Sequence, residues 1–67
     1  MTATEYKQTH NITTRAVTAE DMAAARTDYQ REAAWIISVN GKDYYSKSLS
    51  MKELRFCVAM YHQRRGY

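Results

Sequence analysis

The stretch IISVNGKDYYSKSLSMKELRF, residues 36–56, decides the fold. With Trp35, its first half is aromatic and β-branched, the composition that suits a pleated strand. It runs into Asn40-Gly41, the dipeptide that most strongly marks a two-residue hairpin turn. Closing that turn pairs Val39 with Lys42, Ile37 with Tyr44 and Trp35 with Ser46. Side chains alternate across a strand. Trp35, Ile37, Val39 and Tyr44 therefore share one face, assigned to the core, while Ile36 and Tyr45 fall on the other, assigned to the surface. A lone hairpin is marginal in water, so another element must cover the apolar face.

The cover is announced in the second half of the same stretch. Ser50 and Glu53 have capping-box spacing, with Leu49 and Leu54 at the flanking staple positions. At about 100° per residue, Met51, Leu54, Cys57, Val58 and Tyr61 gather on the inner side of a helix, with Phe56 and Met60 opposite. The helix is expected to end near Arg64. There His62, Arg64 and Arg65 suit the negative end of the helix dipole, and Gly66 stops the run.

Toward the N-terminus, Thr18 and Asp21 form a second capping box, with Asp in the usual Glu position and Val17 and Met22 as its staple. The residues that follow, AEDMAAARTDYQREAA (19–34), are strong helix formers. They read as one helix whose inner face is Met22, Ala25, Tyr29 and Ala33. Residues 1–17 are threonine-rich and weakly periodic, with Ile12 and Val17 as the only aliphatic anchors. They read as an extended or flexible arm, either plain terminal disorder or an arm that orders against a neighbouring subunit through Tyr6 and Ile12. The expected fold class is α+β: a small single domain, helix–β-hairpin–helix (αββα), over residues 18–67, with an N-terminal arm over 1–17.

A chain of 67 residues buries only about 60% of its unfolded surface, so oligomerisation or docking onto a larger partner would help it. Cys57 is the single cysteine, which excludes an intrachain disulfide and fits a reducing compartment. No apolar run approaches the roughly 20 residues of a membrane-spanning helix, and MTATEYKQTH lacks a signal-peptide core. The expectation is a soluble product of the cytoplasm with no membrane association. Catalytic constellations are sparse. His10 and His62 are the only imidazoles, and Cys57 lies on a predicted inner face. Glu20, Asp21, Asp28 and Glu32 read as caps and surface charge. Two glycines leave no phosphate-cradling loop. No enzyme activity, metal or cofactor is expected.

Charge is uneven. Residues 1–39 hold four Lys/Arg against five Asp/Glu, and residues 40–67 hold six against two. The C-terminal half thus carries a basic surface of Lys42, Lys47, Lys52 and Arg55, suited to acidic protein or to nucleic acid. No recognition-helix or RNA-binding signature accompanies it.

Residues 18–67 resemble the gpW family of tailed-phage head-to-tail joining proteins. EDMAAAR is similar to the family's first-helix opening, NGKDYY to its hairpin turn and SMKEL to its second-helix start. HQRRGY looks like its basic tail, and the interval from Gly41 to Leu54 matches the family pattern. The arm over 1–17 is additional. The resemblance implies an αββα subunit of a ring bound beneath the portal protein, close to packaged DNA. Such a ring helps retain DNA and presents an attachment surface to the next neck or tail component. It also implies a virion location at the head–tail neck after assembly in the host cytoplasm. Contact residues are expected to be Arg64, Arg65 and Tyr67 in the tail, with the outward apolar residues Ile36, Tyr45, Phe56 and Met60. The competing reading is a small phage-encoded regulatory protein that binds and inhibits a host protein or repressor.

Overall fold

The computed structural model describes residues 2–65, with the backbone alone for Arg64 and Arg65. Four helices and a three-stranded sheet follow in the order α1 (Ala3–Thr9), β1 (Ile12–Ala16), α2 (Ala19–Ala24), α3 (Asp28–Glu32), β2 (Trp35–Val39), β3 (Lys42–Ser46) and α4 (Met51–Arg65). The chain is a small α+β domain.

The hairpin forms in the expected register, with Val39 opposite Lys42, Ile37 opposite Tyr44 and Trp35 opposite Ser46. Its turn holds Asn40 at φ 50° and Gly41 at φ 85°, the two positive values that match the twist of the flanking strands. Asn at the first position is tolerated because its short amide bonds locally. Here Asn40 accepts from the Asn11 side-chain amide at 3.0 Å.

Residues 2–16 are not an extended or flexible arm. Thr2 caps α1 through a reciprocal box with Glu5. The chain then turns at Asn11, itself at φ 53°, into β1. That strand pairs antiparallel with β2, so the sheet order is β1-β2-β3 and the hairpin's inner strand becomes central. Backbone bonds from Asn40 N to Asn11 O and from Val17 N to Ala34 O, each 3.1 Å, extend the ladder past both ends of β1. A hairpin that is marginal alone thus gains a third strand from its own chain.

The expected first helix is two. α2 opens on the Thr18–Asp21 box and stops at Ala25, which is extended at φ −65°, ψ 136°. A third box, Thr27 with Gln30, opens α3. Neither short helix has a buried residue. The inner face expected for one continuous helix is therefore dispersed: Ala33, just after α3, is buried, whereas Met22 and Tyr29 are exposed.

Ile12, Ile37, Val39, Leu54, Cys57 and Val58 form the buried core, with Tyr6, Tyr44, Leu49, Met51 and Tyr61 packed around it. α1 and α4 therefore share one face of the sheet. Trp35, expected in this core, is only half-buried. The opposite face is also covered. Ile36 is 1% exposed, and Tyr45 beside it is half-buried. The Tyr45 hydroxyl reaches the Asp21 carbonyl of α2 at 2.6 Å. Ile36 is therefore not an outward docking residue, and the Tyr45 hydroxyl is engaged by α2, although Tyr45 still lines a depression beside β3.

Candidate interaction surface

α4 carries apolar residues around its whole circumference. Leu54, Cys57 and Val58 point into the core, whereas Phe56 is 61% exposed. Met60, one turn on, is half-buried. The outward rotation expected for this pair holds fully for Phe56 and in part for Met60.

Phe56 lies between two depressions. One, of about 370 Å³, runs beside β3 between α3 and α4, where Tyr29, Lys42, Tyr44, Phe56 and Met60 line it. The other, of about 520 Å³, is bounded by Tyr29, Lys52, Glu53 and Phe56. Tyr29 and Phe56 are common to both, so the depressions form one continuous aromatic surface.

Tyr29 is held in place rather than loose. Its hydroxyl donates to Glu53 Oε2 at 3.4 Å, and Lys47 Nζ lies 5.1 Å from its ring centroid, a cation–π distance. Lys47 in turn pairs with Glu32 at 3.4 Å. The buried Ser46 hydroxyl, which donates to the Ser48 carbonyl at 2.6 Å, also lies 3.2 Å from the same Glu53 oxygen. Glu53 therefore ties α4 to α3 and to the end of β3, where the capping-box reading had it returning to the Ser50 backbone. Only the forward half of that box is present, from Glu53 N to Ser50 Oγ at 3.4 Å. Sequence reasoning assigned Tyr29 to an inner face and missed it as a surface aromatic. The Thr27–Gln30 box, which breaks the helix ahead of it, was the available signal.

All four residues of the expected basic surface, Lys42, Lys47, Lys52 and Arg55, are exposed. Of these four, only Lys47 has an acidic partner among the described residues. Lys42 and Lys52 line the aromatic surface itself. Tyr6 and Ile12 are not free to reach a neighbour. Ile12 is 6% exposed within the core and Tyr6 packs against it, with its ring 4.3 Å from that of His10. The expected contact residue Tyr67 lies outside the described residues, as do the side chains of Arg64 and Arg65.

Cys57 is buried. Burial, with a smaller contribution from the Glu53 charge, pushes its thiol up to about 11, which removes the thiolate needed for nucleophilic chemistry at neutral pH. Among the described residues no group of three His, Cys, Asp or Glu side chains gathers as a metal site, and no helix is long and apolar enough to cross a membrane. No family model, curated protein or solved structure matches the chain.

Proposed function

We propose that this chain is a structural adaptor of the head-to-tail joining kind. It would sit as one subunit of a ring on a phage portal, help to retain packaged DNA and offer the next neck or tail component its attachment surface. The observation that carries this reading is Phe56, 61% exposed on the longest helix and set beside Tyr29 and Lys52. Large exposed aromatics grouped with cations are the usual anchors of protein interfaces. In this reading α4 makes the contacts, through Phe56 and Met60 and onward into Arg64, Arg65 and Tyr67.

The test is electron microscopy of phage particles assembled with and without the gene, with the protein labelled. Density at the neck, and heads that leak DNA or lack tails in its absence, are expected. Filled, tailed and infectious particles from the null would reject the reading.

One observation favours the second reading, a small regulatory binder of a host protein. Residues 2–16 complete the domain's own sheet and core, so folding does not require assembly. Capture of one host protein by the wild type and not by Phe56→Ser, with normal particles from the null, would select that reading.

A further inference from the structure

β3 is an edge strand, and its free side opens into the aromatic groove. The ladder bonds show which backbone groups are free. Asn40 N bonds Asn11 and the Ala34 carbonyl bonds Val17. Polar groups alternate from side to side along a strand, so 36, 38 and 40 turn toward β1 together with the Ala34 carbonyl, whose own N–H turns back to the Ser46 carbonyl at 3.1 Å, and Trp35, Ile37 and Val39 turn toward β3. Their partners Ser46, Tyr44 and Lys42 turn inward to meet them. The N–H and C=O groups of Asp43 and Tyr45 therefore point away from the sheet. Both residues line the groove of about 370 Å³, together with Tyr29 and Phe56.

We infer that this groove accepts an extended peptide segment, acidic and apolar by turns, which adds to β3 as a fourth strand. The backbone of Asp43 and Tyr45 supplies two donors and two acceptors in strand geometry. Phe56, Tyr29 and Met60 supply an apolar wall for alternate side chains of the incoming strand. Charge selects the occupant. Lys42 lines the groove and Lys52 the adjoining depression, both without acidic partners among the described residues, whereas the carboxylates that line them are already engaged, Asp43 by Arg15 at 3.7 Å and Glu53 by the Tyr29 hydroxyl at 3.4 Å. Carboxylates on the segment would pair with them. A second copy of this chain would bring the same cations against their own kind, which disfavours self-pairing through β3. On the opposite edge, β1, the outward backbone groups are those of Ile12, Thr14 and Ala16. The inference goes beyond the adaptor reading and does not depend on it, since the groove offers the same chemistry in a virion or to a host protein.

The test is selection of random decapeptides displayed on a carrier against the full chain, followed by synthesis of the enriched sequences and affinity measurement by fluorescence anisotropy. Enrichment of acidic residues alternating with apolar ones is expected. Binding should survive Asp43→Ala, which keeps the outward N–H. It should weaken by about tenfold in Asp43→Pro, which removes one hydrogen bond, since proline is tolerated on edge strands where the N–H faces out. Phe56→Ser should weaken it as well. Should Asp43→Pro fail to fold, protection of the Asp43 and Tyr45 amides from hydrogen exchange by a selected peptide on the wild type decides the matter. The inference is overturned by any of four results: no enrichment, enrichment with helical spacing or basic character, unchanged affinity in Asp43→Pro, or a self-association that Asp43→Pro abolishes.

Discussion

The Tyr45 hydroxyl donates to the main-chain carbonyl of Asp21 at 2.6 Å, joining β3 to α2 across the face of the sheet that holds Ile36. The bond has a cause in the length of α2. A helix leaves its last four carbonyls without intrahelical partners, and in a helix of six residues those begin at Asp21. Met22 O is taken by Ala25 N, and Asp21 O is taken by Tyr45. Tyr45→Phe keeps the ring over Ile36 and leaves that carbonyl without the phenol. The expected loss is about 0.5–1.5 kcal/mol, seen as a lower urea midpoint at unchanged slope. Tyr45→Ala, which also uncovers Ile36, should cost more. Equal stability for all three proteins would show that α2 does not close this face.

Arg15 and Asp21 fasten β1 to the same helix. The two side chains form a paired contact, with Arg15 Nη1 2.5 Å from Asp21 Oδ2 and Nη2 3.1 Å from Oδ1. The Arg15 guanidinium, then the Thr18 backbone, hold the Asp21 carboxyl well below the usual carboxylate range. A carboxyl depressed in the folded state stabilises the fold above its unfolded value of about 3.9 and loses that contribution as pH falls below it. The stability difference between wild type and Asp21→Asn should therefore be constant from pH 7 to about pH 5. It should shrink steadily from about pH 4 downward. Unfolding midpoints across that range are the measurement, and a difference that grows in acid would contradict the pairing.

Gly41 sits at φ 85°, and a Cβ built there meets nothing within 4 Å. A substitution at this site is thus opposed by backbone conformation alone, without a clash. Gly41→Ala should destabilise by about 1–2 kcal/mol, the left-handed penalty for an L-residue. Calorimetric Tm shifts would report it. A D-alanine at the same position, introduced by chemical synthesis, should restore most of the loss.

The hairpin was fully legible because Asn-Gly specifies both the turn and the pairing that follows from it. Leu54, Cys57 and Val58 were legible from helical periodicity and the Leu49–Leu54 staple. The N-terminal strand was not read from ITTRA, because threonines at 13 and 14 blur the alternation of a strand whose outer face is polar. Two helix starts were written in the chain and passed over. Thr2–Glu5 and Thr27–Gln30 have the same capping spacing as Thr18–Asp21, and all three close reciprocally. The faces of the hairpin could not be told apart because both are covered. A local period reveals which residues share a side, but not that α2 returns over the second one. The surface role of Tyr29 followed from that same missed break at Arg26.

Cys57, 2% exposed with its thiol raised to about 11 by burial, should resist alkylation. In native buffer at pH 7.5 its reaction with an aromatic disulfide reagent should proceed only through opening of the domain. The observed rate should therefore rise with urea in parallel with the unfolded fraction. A fast reaction of the native protein, insensitive to urea, would place the thiol at the surface instead.

Two residues of α4 make the sharpest separation of fold from function. Leu54 is 0% exposed within the core and Phe56 is 61% exposed, although only Arg55 stands between them. Leu54→Ala removes buried methyl groups and leaves a cavity, so it should cost about 2–5 kcal/mol. Phe56→Ser removes no core contact, so stability should change by no more than about 0.5 kcal/mol. Partner capture should show the reverse order at a temperature where both variants are folded. Leu54→Ala retains the surface and binds, whereas Phe56→Ser loses the central aromatic and does not. Were Phe56→Ser to unfold the protein while leaving binding intact in its folded fraction, Phe56 would belong to the core, and the interaction surface would have to lie elsewhere.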